Sequence, residues 1–360
     1  MGNKLNRLFI IYFISFLCLS LIHYNFIFSS VHSQELNIIR IGTGSTAGTY
    51  FPVGGLIGNV ISNPPGSRPC DKGGSCGVPG LIAVAQSTRG SIDNINLVYS
   101  GQMEVALSQA DVAYWAFNGS GYFQGKKPKN SIRALANLFP ENIHIVSRSD
   151  SGINKIRDLI GKRVSIGGPR SGSKVDARLI LSAYGIRFSD MKVFNYNLDM
   201  ATRAIEDNTI DAFFLVSGAP ALAIVDLVDR VDLNFVPVDG PIAEKLIKIF
   251  PFFVEGEIPE KSYGDNKSIK TLNVGALIIT NSNMADDLAY GIVRAVWHPN
   301  VKSFFSNGHP RGQFINIKNA LDGIGFKIHP GALNYYRDEG IVSGKIIDDD
   351  LYLGPIKKLP

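Results

Sequence analysis

The chain has 360 residues, with 36 Lys+Arg against 31 Asp+Glu, 37 Gly, 18 Pro and three Cys. At roughly 100–200 residues per domain this length holds one large or two medium domains, and 45% apolar with 19% charged residues excludes a disordered chain. The net charge of +5 is mild and no Lys/Arg run exceeds two residues, which speaks against nucleic acid as a partner, while the unperiodic Gly and Pro exclude a collagen-like chain.

The N-terminus reads as an address. Lys4 and Arg7 precede a stretch without charge that ends at Glu35. Within it residues 8–22 form a largely apolar run, followed by a more polar segment at 23–34. This is the three-part pattern of a secretory signal peptide, here residues 1–33, with Val31 and Ser33 at the −3 and −1 positions of a cleavage site near Ser33. An uncleaved anchor helix is the alternative. A bilayer span needs about 20 apolar residues, and 8–28 reaches that length only by including His23 and Asn25. In both cases the rest of the chain is expected outside the cytoplasm, in the periplasm. Without residues 1–33, 34 Lys+Arg stand against 31 Asp+Glu and two cysteines remain.

Those two, Cys70 and Cys76, lie in PGSRPCDKGGSCGVPG, where Pro, Gly and Ser exclude helix or strand. A loop disulfide is the expected state in an oxidising compartment. A metal site is the rival reading, but it lacks further ligands, because no other Cys or His lies nearby in sequence.

Strand and helix signals then alternate. A strand at 36–43 leads to a helix at 50–62. A strand at 81–86 precedes a helix at 91–99, with Ser91 as N-cap and Asn94 one turn on. Residues 105–107 read as a buried strand, and 132–138 and 143–147 as two more. A strand at 163–166, a helix near 174–184, a strand at 193–196 and a helix at 201–207 follow. A buried strand ends on Ser217-Gly218, and strands at 233–238 and 272–280 precede a helix at 286–297. Such alternation with short loops predicts α/β units and mostly parallel sheets. The extended apolar segments 136–147 and 271–280 read as connections between two lobes.

Candidate functional residues sit where strands stop, since open α/β sheets bind ligands beyond strand carboxyl ends, at helix N-termini. The first such loop, GTGSTAGTY, offers Gly44 for close backbone approach, hydroxyls at Ser45, Thr46 and Thr49, and the ring and hydroxyl of Tyr50. The second offers Ser91 and Asn94, the third Gln109 and Asp111. The fourth, GGPRSGSK, offers Arg170 and successive N–H groups at Ser171, Gly172 and Ser173. A fifth places Phe214, Ser217 and Gly218 at a strand end. Taken singly, each loop reads more readily as a capped turn, and Tyr50 and Phe214 also read as core aromatics.

Nucleotide and enzyme readings are thin. The glycine spacing of 42–48 is not G-x-G-x-x-G, and 168–174 lacks the P-loop spacing. Residues 42–46 do not match G-x-S-x-G, and there is no H-E-x-x-H. His144 lies in an apolar strand and reads as a core or hinge histidine, while His298, His309 and His329 each precede Pro and suggest turns. The chain is therefore expected to be no enzyme and to need neither cofactor nor metal, an exported enzyme acting on a small anionic substrate being the alternative.

Nine segments in register carry a resemblance over about 38–341: GTGSTAGTYFPVGG, GSIDNI, ALSQADVAYWA, LFPENIHIVSR, DLIGKRVSIGGPRSGS, FFLVSGAP, the stretch from Pro251 to Pro259, VGALIITNSNMADDLAYGIVRA and IHPGALNYYRDEG. Together they closely resemble the TAXI family, the TRAP-associated extracytoplasmic immunogenic proteins. The resemblance implies a type II periplasmic-binding-protein fold, an α/β architecture of two lobes joined by two crossing strands with a ligand cleft between them. Residues 34–138 plus 281–360 would form lobe 1 and 139–280 lobe 2. It implies a monomeric solute receptor that delivers a small organic anion, a glutamate-like amino acid, dicarboxylate or oxoacid, to the membrane subunits of a tripartite ATP-independent transporter. The family pattern matches at Ser45, Thr46, Tyr50, Ser91, Asn94, Gln109, Asp111, Ser171, Gly172 and Ser173. It departs at Ala47, Ala110, Pro169-Arg170 and Ser173, where Thr is usual, and these departures bear on ligand identity. From its position alone, Arg170 is expected to select a second carboxylate.

Overall fold

The computed structural model describes residues 36–342, so the expected signal segment and its cleavage site lie outside the described residues. A ten-stranded mixed sheet organises the body. Its strands are β1 (Asn37–Gly42), β2 (Leu81–Gln86), β3 (Val105–Gln109), β4 (Ile132–Arg148), β5 (Arg163–Ser165), β6 (Lys192–Phe194), β7 (Ala212–Ser217), β8 (Leu233–Phe235), β9 (Val254–Ile258) and β10 (Ile269–Asn281). The order is β2-β1-β3-β10-β4-β7-β5-β6, with β8 on β4 and β9 on β10.

The order contains the same motif twice. β2, β1 and β3 are parallel neighbours, and so are β6, β5 and β7. Between these triplets run the two longest strands, antiparallel to each other and to their neighbours. The first part of β4 pairs with β10, and its last part, from Asn142 to Ser147, pairs with β7. β10 pairs with β3 through Ala276–Thr280 and with β9 through Ile269–Asn273. β10 thus borders the first triplet, β4 borders the second, and the two pair with each other between them, which is the expected arrangement of two α/β halves with two crossing strands. The sheet is mixed rather than mostly parallel, because the shared strands oppose both triplets.

The segments 132–138 and 143–147, read separately from the sequence, form one strand through Pro140. A proline cannot donate to the ladder, and the register slips beside it, between Ala276 and Leu277 of β10. Five helices start at strand ends: α1 (Tyr50–Ile61), α2 (Ser91–Tyr99), α3 (Ala110–Asn118), α4 (Gly172–Ala183) and α5 (Leu198–Glu206). Ser91 does not cap α2. The cap position is Gly90 at φ +102°, a value that favours glycine, and Ser91 turns its hydroxyl to Gln109. α4 and α5 begin two and three residues earlier than the apolar spacing predicts, because Ser171 and Asn197 cap them by accepting the N–H of Lys174 and Met200.

The three histidines expected in turns share one role. His298, His309 and His329 each accept, through Nδ1, the backbone N–H two residues on, and each is followed by proline at the first helical position. His144 is buried as expected, bonded through Nδ1 to the Asn142 carbonyl and through Nε2 to the Tyr263 hydroxyl.

Cys70 and Cys76 form the expected disulfide, with Cα atoms 4.7 Å apart. Histidine is far from the two cysteines only along the chain. Folding brings His298 Nε2 to 3.7 Å from Cys70 Sγ. With both sulfurs bonded to each other, the trio offers no thiolate to a metal. Among the described residues no helix is long and apolar enough to cross a membrane.

Candidate functional site

A cavity of about 500 Å³ lies where the two triplets face each other. Four helices open onto it. α1 and α2 approach from the first half, α4 and α5 from the second, and residues at the N-terminal ends of all four line the wall. Backbone N–H groups in a first turn lack intrahelical acceptors, so such a wall carries positive potential. β7 contributes Phe213 to Ser217 at its carboxyl end, and β4 contributes Glu141.

Twelve of the sixteen expected residues line this cavity: Gly44, Ser45, Thr46, Thr49, Tyr50, Ser91, Gln109, Ser171, Gly172, Ser173, Phe214 and Ser217. Four do not. Asn94 is buried behind it, where its amide donates to the carbonyls of Thr43 and Leu107 at 2.7 Å each and accepts from Thr88 at 2.6 Å. It ties strand ends together. Asp111 is fully buried and does not line the cavity. Gly218 turns its carbonyl to the Thr49 hydroxyl and packs against Arg311. Arg170, expected to hold a second carboxylate, instead pairs with Asp93 at 2.8 Å, with its side chain 52% exposed.

The halves are bonded across the cleft. Ser45 Oγ donates to Asp199 Oδ2 at 2.6 Å, and Thr49 Oγ1 lies 2.9 Å from Ser217 Oγ. Gln109 Nε2 donates to Asp176 Oδ2 at 2.6 Å. The N–H groups of Ile92 and Asp93, at the start of α2, donate to the Arg170 carbonyl. The fourth loop therefore reaches the opposite wall with its backbone as well as its side chain. Gly172 is required for this approach, because a Cβ there would sit on the Gln109 amide oxygen.

Sequence reasoning missed Glu141, Asp199 and Arg89, all on the cavity wall. Glu141 accepts the Tyr50 hydroxyl. Burial pushes its carboxyl well up, opposed by that hydrogen bond and by the nearby Arg311. Burial likewise pushes the Tyr50 hydroxyl up, and the charge of Glu141 adds to it. The signal for Glu141 was present, as a carboxylate inside an otherwise apolar extended segment. Asp199 carried none, since a first-turn acid is ordinary in a surface helix. Among the described residues no histidine or cysteine lines the cavity.

Several solved structures are similar to this chain. The ligand-binding component of an ABC-type import system from Staphylococcus aureus is 11% identical, with 89% of this chain and 97% of that one covered and a TM-score of 0.47. A periplasmic sulfonate-binding protein from Methylobacillus flagellatus is 15% identical over 89% and 92%, with a TM-score of 0.44. The aliphatic sulphonate-binding protein from Escherichia coli is 12% identical over 84% and 83%, with a TM-score of 0.41. Residues 41–340 match the sequence profile of the NMT1-like family, and the chain belongs to that family.

Proposed function

We propose that this chain is an extracytoplasmic solute receptor of the TAXI type. It captures a small organic anion between its two halves and delivers it to TRAP transporter membrane subunits in the periplasm. The observation that carries this reading is the cavity: about 500 Å³, walled by hydroxyls and four helix N-termini, and closed by hydrogen bonds from both halves. That volume suits a small molecule, and such a wall holds a carboxylate without a metal. Ligand atoms bonded to both walls favour the closed form, so binding shifts the equilibrium between open and closed.

The wall also bears on ligand class. Asp199 places a carboxylate in the same cavity, opposite in sign to the helix ends, and Glu141 adds a buried carboxyl that burial pushes toward the neutral acid. A glutamate-like amino acid satisfies both, its carboxylates at the helix N-termini and its ammonium beside Asp199. A dicarboxylate or oxoacid satisfies only the first. Thermal unfolding of residues 34–360 against a panel of amino acids, dicarboxylates and oxoacids tests this. The expected result is a melting temperature raised by several degrees with an amino acid and less with the others. No shift with any compound contradicts the receptor, and conversion of a compound to product turns the reading to the enzyme.

A further inference from the structure

We propose that Asp111 and Asp176 hold one proton between them, in a site that exists only while the two halves are together. Asp111 stands in the first turn of α3, in the first half, and Asp176 in α4, in the second. Both are fully buried, and their carboxyl groups lie within hydrogen-bonding reach of each other. Both oxygens of Asp111 and Oδ1 of Asp176 have no hydrogen-bond partner, and only Asp176 Oδ2 is served, by Gln109 Nε2. An ionised carboxylate only accepts, so two of them facing each other in a dry interior repel. One proton between them turns the repulsion into a hydrogen bond.

The groups packed around the pair agree with this. From β4, Glu141 adds a third carboxyl that opposes ionisation of both. From α1, Tyr50 stays a neutral donor to Glu141. Arg311, from the segment Pro310–Phe314, is the buried cation of the cluster, and its charge acts on Glu141. Gln109 from β3 and Ser91 from α2 are neutral. Burial raises both aspartates, Asp176 further by the charge of Asp111. Asp111, in the first turn of α3, faces about half a positive charge from that helix end, so the pair carries one net negative charge more easily than two. A metal cation suits the place less well, because the Gln109 N–H points at the carboxylate where a cation shell needs an acceptor.

Opening the cleft hydrates both carboxyl groups, which then return to the ordinary range near about 4 and ionise at neutral pH. Closing takes up one proton. Over the interval between the open and closed values, the ratio of closed to open protein rises about tenfold for each unit the pH falls. None of this needs a ligand, so a failed ligand screen leaves it standing.

The test is a pH titration of the protein labelled with ¹³C at the aspartate carboxyls, in the wild type, Asp111→Asn and Asp176→Asn. One aspartate carboxyl is expected to remain protonated at about pH 7 in the wild type, and its signal to disappear in each variant. Small-angle scattering on the same samples is expected to show the wild type expanding as pH rises through that midpoint, and Asp111→Asn, whose new amide donates to Asp176, holding one size. Every aspartate ionised at pH 7 overturns the proposal, whether or not a variant folds. A radius of gyration independent of pH in the wild type overturns the link to closure. A signal that moves to the ionised position on adding sodium chloride assigns the site to a metal cation and overturns the proton.

Discussion

Glu141 and Asn142 are neighbours on β4, and two different polar clusters grow from them. Asn142 belongs to a cluster whose hydrogen bonds are nearly complete. Its amide donates to the Glu257 carbonyl and to Asn273, and its oxygen accepts from Arg311 Nη2 and from the Ala219 N–H. His144, Tyr263 and the Ala221 N–H continue the chain. Glu141 belongs to the other cluster, with Tyr50, Asp111 and Asp176, where three carboxylate oxygens have no partner. The first cluster fixes where the shared strand meets the turn after β7. Of the second, Tyr50 and Glu141 line the cavity while Asp111 and Asp176 are buried without lining it, and the cluster keeps capacity for a proton. Buried polar groups cost little when paired and much when orphaned, so the first cluster adds more to stability than the second.

The largest expected effect on stability comes from breaking the first cluster, where Arg311 Nε is a buried donor without a partner. Asn142→Ala leaves the Arg311 guanidinium and the Ala219 N–H without their acceptor, at a cost of about 3 kcal/mol in urea unfolding. Glu141→Gln, on the other cluster, is expected to cost less than about 1 kcal/mol while changing ligand affinity. Equal losses from the two variants would erase the distinction between the clusters.

The two clusters also answer pH with opposite sign. Burial lowers the His144 imidazole from 6.5 to about 4. The unfolded chain therefore binds the proton first, and the stability His144 contributes is present above about 6.5 and lost as pH falls toward 4, by up to about 3 kcal/mol. The aspartate pair is raised, so its contribution is present below the ordinary carboxylate range and lost as pH rises through the folded values. Unfolding free energies between about pH 4.5 and 7.5 separate them: His144→Gln is expected to flatten the acid loss and Asp111→Asn the loss toward neutral pH. The smallest effect belongs to the rim. Arg170→Ala removes a half-exposed ion pair and is expected to cost less than about 1 kcal/mol, with ligand affinity changed only a few-fold. A loss above about a hundredfold would return Arg170 to direct contact with the ligand.

Much of this was legible in the sequence. Strand-end loops rich in Gly, Ser and Thr placed twelve residues that line the cavity, because helix N-termini at strand ends face a cleft in this topology. Direction and depth were not legible. Asn94 and Asp111 share their loops with lining residues, yet a helix turns successive side chains by about 100°, which sends one into the cavity and the next beneath it. The partner of Arg170 lies 77 positions away, and no local pattern announces it. Histidine before proline read as a turn, where it marks the capped start of a helical segment.

The receptor reading is tested most directly at Gly44, where the space that a Cβ would enter is open and the nearest atom belongs to Tyr50, 3.9 Å away. Gly44→Trp fills the cavity without displacing backbone. Calorimetric titration with the compound that raises the melting temperature most is expected to give one site per chain in the wild type. In Gly44→Trp the affinity is expected to fall by more than about a hundredfold, with the melting temperature of the free protein nearly unchanged. Undiminished binding in Gly44→Trp would place the ligand elsewhere and contradict the account.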